Sequence, residues 1–583
     1  MATARSRRKN RTRGSRSVWM GLVLGLLLAV PSGGASPADE EASIRARLDA
    51  GEFAPAIAAI RRLPRIDQRD ALLAQVAAAQ ARAGARDASL NTASQIDGDR
   101  ARAGALSHVA NQPLGARGGG SMADFDSLIE LIQNTVATDT WQDVGRAATI
   151  EPFEAGVYVD PQGVLRRVAR EDPTGDLAAL RDASAPKGRR QIARQPSPLR
   201  KVSLTRLEKQ VQLRLAAGRM PTEEMQVLAG LERVRYVLVY PETGDLVLAG
   251  PADDWTLGPE GRIVGRRTGR PAVRLDDLVV VLRHATAGPE RSFGCSINPR
   301  QEALARVQEF LRQSSQRPLR PGERPGWLER LRAQLGQQDV EVDGLDPRTR
   351  AARVMVEADY RMKLVGMGLE EGVPGVVSYL DLIEVAPGQA PPPLGVLRWW
   401  FTLSYDAVLA APDRRAFALR GQGVRVMSEN ERLTAEGKRV HTGQSEQWNR
   451  QFAASFTEHF DALCEKYPVY GELRNVFDLA LACALVREEG LAGKVAWHMT
   501  CFGERGEYPV GLGPAPRTVE TVIGHRVIQQ KHVVAGVSGG VRADPTALVA
   551  RQAVAVDTQG LLDRQRSAAL PKRQLSGEPW WWD

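Results

Sequence analysis

Apolar positions along this chain follow two periods. Between residues 69 and 112 they fall at helical spacing in an alanine-rich stretch. RDALLAQVAAAQ (69–80) and RAGALSHVANQ (102–112) align at a 33-residue offset, Leu73 with Leu106, Val76 with Val109 and Ala77 with Ala110. Helix pairs at this period build short α-solenoids. The pattern predicts a helical repeat module over 39–113, with a plain helical hairpin as the alternative. After the break ARGGGS (116–121), DFDSLIELIQNTV reads as a helix with Asp124 as N-cap. TIEPFEAGVYVDPQGVLRRV reads as two strands turning at DPQG. These make a small helix-plus-hairpin unit over 123–170. Residues 171–201 carry prolines and basic residues with no apolar period, the signature of a solvated linker.

The longest region, 202–575, mixes both periods. LTRLEKQVQLRLAAG is a helix ended by Gly218. RYVLVY and DLVLAG form a hairpin around PETG. Asn298-Pro299 reads as the start of the helix QEALARVQEFLRQ. From Val354 to Val365 apolar and polar residues alternate, which predicts a strand ending at Gly366-Met367-Gly368. Its polar face would carry Glu357, Asp359, Arg361 and Lys363, exposed or paired with one another. PGVVSYLDLIEV, GVLRWWFTLSYDAVLAA, RAFALR and GVRVMSE follow as an antiparallel meander. Trp448, Phe452, Phe456, Phe460 and Leu463 form one helical stripe. ELRNVFDLALACALV is apolar nearly all round and should be buried. HRVIQQKHVVAGVSGGV returns to strand. The fold class is α+β: a helical repeat, a small α/β unit, and a large mixed core with an antiparallel sheet and buried helices.

Charge changes the picture at one end. The 583 residues carry a net +9, yet seven basic residues lie in the first sixteen, so the rest is nearly neutral at about +2. The overall basicity therefore gives no case for nucleic-acid binding. Those arginines precede the apolar run VWMGLVLGLLLAV and the small residues of PSGGASPADE, the order of an export signal over 1–38, with cuts after Ala35 or Ala38. The run is shorter than the ~20 residues of a membrane span. A membrane contact is expected only through this segment, if it stays uncleaved. The expected location is extracytoplasmic: periplasm, cell envelope or medium.

The candidate chemistry is sparse. Of four cysteines, Cys464 and Cys483 fall in helical patterns as buried thiols, while Cys295 and Cys501 lie beside turn residues and could pair. Gly536-Val537-Ser538-Gly539-Gly540 satisfies G-x-S-x-G, which makes Ser538 the one candidate nucleophile. The strand before it fits, but Pro545 delays the following helix, and no histidine follows His532 to complete the order Ser, acid, His. The histidines are scattered, and His498 with Cys501 is the only close soft-ligand pair, so no metal site is expected. No phosphate-binding or dinucleotide loop is present, and no cofactor is expected. Glu357 and Asp359, two apart on one strand with cations beside them, are poorly placed to face each other across a glycosidic bond.

VEADYRMK, RWWF, PVYGELRN and AGVSGGV, in that order, resemble an uncharacterised family of large exported proteins common in planctomycete bacteria, known only as a domain of unknown function. The resemblance covers most of 202–575. It implies a shared core and an extracytoplasmic location, and carries no activity, cofactor or catalytic residue. The unit at 123–170 resembles the short domains of secretin-type outer-membrane proteins. Two functions stand: a non-enzymatic interaction or envelope protein that recruits a protein partner through its helical repeat, or an extracytoplasmic hydrolase using polar groups of the core. Any small-molecule ligand is left open.

Overall fold

Strand pairing in this chain joins segments far apart in sequence, and the longest strand lies near the C-terminal end. The computed structural model describes residues 37–82, 85–98, 101–102, 104–105, 149–153, 156–160, 193–258, 260–288, 291–314, 323–385, 395–434, 438–528, 531–570 and 580–583. Residues 37–43 open the helix Pro37–Ala50, and the chain from Ile44 on forms one compact unit. The fold is α+β, with mixed sheets.

The larger sheet runs Arg439–His441, Gly423–Leu433, Gly395–Ser404, Lys531–Ala543, Phe293–Pro299, Gln337–Asp343 and Thr518–Glu520, and Ile523–Ile528 folds back on the first half of Lys531–Ala543. Gly395–Ser404 and Lys531–Ala543 are parallel neighbours at its centre, and its other pairs are antiparallel. The second sheet runs Ala555–Val556, Ala407–Ala410, Ala416–Arg420, Tyr236–Tyr240, Asp245–Ala252, Ser197–Ser203 and Trp581–Trp582. The meander expected from PGVVSYLDLIEV to GVRVMSE is thus divided. Gly395–Ser404 pairs with Gly423–Leu433 in the larger sheet, while the hairpin between them belongs to the second. Turn residues mark where a chain reverses but not which sheet receives it.

Both sheets share one hydrophobic core with the helices packed on them. In GVLRWWFTLS, Trp399 and Phe401 point inward. Trp399 meets Phe452, and Phe401 meets Phe456, Phe460 and Tyr470. The expected aromatic stripe therefore holds, on the helices Gln447–Glu458 and Phe460–Lys466. The all-round apolar helix is Pro468–Glu488, buried from Val469 to Val486.

Several local expectations are corrected. Residues 350–366 are a helix, Arg350–Gly366, capped by the Thr349 side chain accepting from Ala352 N–H. Alternation misled because this helix is buried on most sides, so polar residues do not mark one solvent face. PGVVSYLDLIEV holds a single helical turn, Tyr379–Leu382, whose Ser378 hydroxyl accepts from Asp381 N–H, in place of a strand. Pro299 ends the strand Phe293–Pro299, and the next helix begins at Gln301. The small hairpin pairs Thr149–Phe153 with Gly156–Asp160, so it reverses before DPQG.

The helices Phe53–Ile60, Ile66–Arg82 and Arg86–Ser94 pack on the turn that follows Arg350–Gly366. Gln80 Nε2 donates to Leu369 O at 2.7 Å, and Asn91 Nδ2 to Glu370 Oε1 at 2.7 Å. Ile57, Ile60, Leu73 and Val76 join the common core. The second segment of the 33-residue alignment lies mostly outside the described residues, as do residues 1–36, the break at 116–121, the helix expected at 124–136 and residues 171–192. The end of the expected linker is structured. Arg200, with no exposed side chain, donates to Ala193 O and Ala229 O and holds both Asp583 carboxylate oxygens at 2.7 and 2.9 Å, so its charge is buried with partners.

Candidate functional site

The sequence AGVSGGV forms the middle of Lys531–Ala543, between Gly395–Ser404 and Phe293–Pro299. Gly539 and Gly540 have φ of +155°, which side chains rarely adopt. A Cβ on Gly539 would stand 1.6 Å from Trp399 O, and one on Gly540 1.8 Å from Cys295 O. The paired glycines let three strands approach closely. They do not make a nucleophile elbow, because the strand continues to Ala543.

Strand pairing sets Ser538 beside Arg398 and Arg398 beside Glu429, on the side away from Trp399. A polar cluster forms there. Ser538, 1 % exposed, donates its one hydroxyl proton to Glu431 Oε2 at 3.1 Å, with Leu397 O a second acceptor in reach at 3.3 Å. Arg439 donates to the same Glu431 oxygen at 3.1 Å and to Asn298 Oδ1 at 2.8 Å. His441 Nδ1 lies 3.2 Å from Glu431 Oε1 and 3.3 Å from Glu429 Oε2. Glu429 also accepts from Gly443 N–H at 2.8 Å and from Arg398 at 3.4 Å, and Arg398 stacks over Trp400 at 4.7 Å. The Ser538 hydroxyl thus gives its proton to a carboxylate, and the imidazole contacts that carboxylate's other oxygen. In a nucleophilic triad the imidazole would stand next to the hydroxyl.

On the opposite side of the sheet lies the helix Arg350–Gly366. Asp359 and Lys363, four apart on it, have no exposed side-chain surface and meet at 2.7 Å. Burial raises the Asp359 carboxyl, with Lys363 opposing, and burial lowers the Lys363 ammonium, with Asp359 opposing. Lys363 Nζ lies 3.5 Å from Ile297 O. Burial also pushes the neighbouring Cys295 thiol up, reinforced by Asp359.

The same helix bears a second set of charges. Arg262 binds Glu357 and Glu472, and Arg350 binds Glu472 and Asp277. Arg361 reaches Glu260 at 2.9 Å and Glu370 at 3.1 Å. Burial alone would lower the Arg262 pKa, but Glu472 and Glu357 hold it above its ordinary value. The four residues expected on one strand face are therefore split. Asp359 and Lys363 are interior, while Glu357, 37 % exposed, and Arg361 belong to the ionic network.

Cys295 and Cys501 do not pair, and all four cysteines are free, buried thiols. Burial pushes Cys464 and Cys483 up to about 12 and Cys501 to about 11, so they stay protonated and unreactive at neutral pH. His498 is exposed and Cys501 buried. Among the described residues no group of three or more histidines, cysteines or acids is placed to hold a metal ion. No helix among them is long and apolar enough to cross a membrane.

Sequence reasoning missed Arg398, Glu429, Glu431, Arg439 and His441. A signal existed for two of them: in GVRVMSENERL, strand alternation puts Glu429 and Glu431 on one face.

A sequence model of a family described as Protein of unknown function (DUF1598) matches residues 295–379. The chain thus contains a domain of unknown function over part of the region where the motif resemblance was drawn. No curated protein and no solved structure matches the chain. The matched segment runs from the strand Phe293–Pro299 through Arg350–Gly366 to Tyr379. It supplies Asn298, Asp359 and Lys363, whereas Ser538, Glu431 and His441 lie outside it.

Proposed function

We propose that the protein is exported and acts outside the cytoplasm as a non-enzymatic interaction protein of the cell envelope. The observation that carries this reading is the state of Ser538: it lies inside a continuous strand, 1 % exposed, with its hydroxyl committed to Glu431 and Leu397 O. Such a group braces a fold better than it attacks a substrate. The basic, apolar and small-residue order at 1–38 supports export. The helices over 44–105 supply the partner surface. They bury one side on the core and leave Arg61, Arg62, Arg65 and Ile66 exposed at one bend.

The test uses the full chain expressed in its own cell. Recovery from the extracytoplasmic fraction with a terminus at Ser36 or Asp39 is expected, and a terminus at Met1 or Ala2 would remove the export reading. The purified protein should show no ester, amide or glycoside hydrolysis. An activity lost in Ser538→Ala with unchanged melting temperature would overturn the non-enzymatic reading.

A further inference from the structure

The second sheet is finished on one side by a short strand laid on the edge of Ser197–Ser203. Trp581 pairs with Val202 and Trp582 with Lys201, and Ser203 N–H donates to Trp580 O at 2.8 Å. Each side chain of this segment is received separately. Trp580 is buried in the common core. Trp581 packs against Val227, Trp255 and Ala272, with the Arg200 guanidinium over its ring at 4.4 Å. Trp582 donates its Nε1 to Ala569 O at 3.1 Å. The Asp583 side-chain carboxylate accepts from Arg200 Nε at 2.7 Å and from Nη2 at 2.9 Å. Arg200 is aimed by groups that do not belong to the segment: Nη1 donates to Ala193 O and Ala229 O, and Nη2 also to Gln195 O. A planar fork held in advance by three carbonyls, next to a strand edge that offers backbone pairing, is how sheets recognise extended peptides.

We propose that the edge of Ser197–Ser203 is a peptide-binding site for an extended aromatic–aromatic–acidic segment, filled by the chain's own Trp580–Asp583 and open to the same segment of a second copy. The second copy is the occupant because every copy carries the matching sequence and makes the same contacts within one chain or between two. Nine residues, 571–579, join the segment to Leu570, enough to span up to about 30 Å. That tether keeps the chain's own segment at an effective concentration on the order of millimolar, so exchange is rare until the resident segment is weakened. The site does not rest on the interaction reading above, which uses the helices over 44–105.

The probes are the labelled peptides PWWWD and PWWWK, with binding to the full chain read by fluorescence anisotropy. Asp583→Lys sets a cation against Arg200, which loosens the resident segment and leaves the edge intact. This variant should bind PWWWD at least about tenfold more tightly than wild type does, and at least about tenfold more tightly than it binds PWWWK. Adding Arg200→Met should bring PWWWD down to the level of PWWWK. A tagged Arg200→Met chain keeps Asp583 but has lost its anchor, so mixed with Asp583→Lys it should co-purify as a mixed dimer. Trp582→Ala, which gives up the bond to Ala569 and keeps Asp583 on Arg200, is the second weakened variant should Asp583→Lys not fold. A folded weakened variant that ignores PWWWD, or binds the two peptides equally, would overturn the site. Peptide binding without mixed dimers would overturn the second copy as its occupant. Unfolding of both variants would overturn the whole proposal, because the segment would then be an integral strand and not an exchangeable ligand.

Discussion

The helix Arg350–Gly366 treats charge in two ways. Toward the sheet it buries one isolated pair, Asp359 with Lys363. Toward Pro468–Glu488 and the hairpin Trp255–Gly265 it feeds a ladder in which Arg262, Arg350 and Arg361 each hold at least two carboxylates, and Glu472 answers to both Arg262 and Arg350. The pair has no second ion-pair partner among the described residues, although the Gly540 backbone also favours the Asp359 anion. Asp359 Oδ1 has no hydrogen bond among the described residues, and Lys363 finds only the distant Ile297 O besides its acid. In the ladder, loss of one cation leaves another in place. Equal numbers of charges can thus be brittle or redundant, depending on how many partners each has.

The largest expected effect breaks the isolated pair. Lys363→Met leaves Asp359 buried in the core without its cation, and stability should fall by about 3–5 kcal/mol. Asp359→Leu with Lys363→Met removes both charges and should lie between wild-type stability and about 4 kcal/mol above it. Urea denaturation of the two variants at pH 7 measures the gap. If the single variant is as stable as wild type, the pair is not isolated as described.

That pair also marks where the sequence could be read and where it could not. Elements with one solvent face were legible, such as the helix Leu204–Ala216 ending before Gly218 and the aromatic stripe from Phe452 to Leu463, while the hairpin around PETG was legible from its turn residues although its strands are buried on both faces. The α+β class followed from them. Arg350–Gly366 was misread because Asp359 and Lys363 point into the core, so the polar residues imitated a strand's wet face. The polar cluster was out of reach for another reason. It gathers Asn298, Arg398, Glu431, His441 and Ser538 from four strands of one sheet and a fifth at its edge, and only pairing brings them together. The Ser538 motif was legible as letters, but its surroundings, Gly539 under Trp399 O and a strand running on to Ala543, were not.

The ladder should lose less than the pair. Arg262→Met strips Glu472 of one cation, yet Arg350 remains on its other oxygen. The expected loss is about 1–3 kcal/mol, the cost of charge-assisted hydrogen bonds. Glu357→Gln should cost at most about 1 kcal/mol, since this carboxylate is 37 % exposed and water can replace its partners. The same denaturation series orders the three. A Glu357→Gln loss as large as that of Lys363→Met would erase the distinction between brittle and redundant charge.

An effect as small as that of Glu357→Gln is expected at a third site, where one pair ties the second sheet to the end of the buried helix. Arg414, in the turn between Ala407–Ala410 and Ala416–Arg420, donates Nε to Glu489 Oε2 at 2.7 Å and its second nitrogen to Oε1. The hydrogen bond from Arg414 holds the Glu489 carboxyl below its ordinary value near 4.5; partial burial opposes this and the Arg414 charge adds to it. The folded protein then binds this proton less tightly than the unfolded chain. The stabilisation is complete above the ordinary value and is lost as pH falls below about 4.5 through the folded value. Glu489→Gln keeps the shape and removes the charge. It should be about 1 kcal/mol less stable than wild type at pH 7, and the difference should shrink steadily as pH falls below about 4.5. A difference that stays constant across that window would show that packing, not the ionised carboxylate, makes the tie. The joint would then belong with neither the isolated pair nor the ladder.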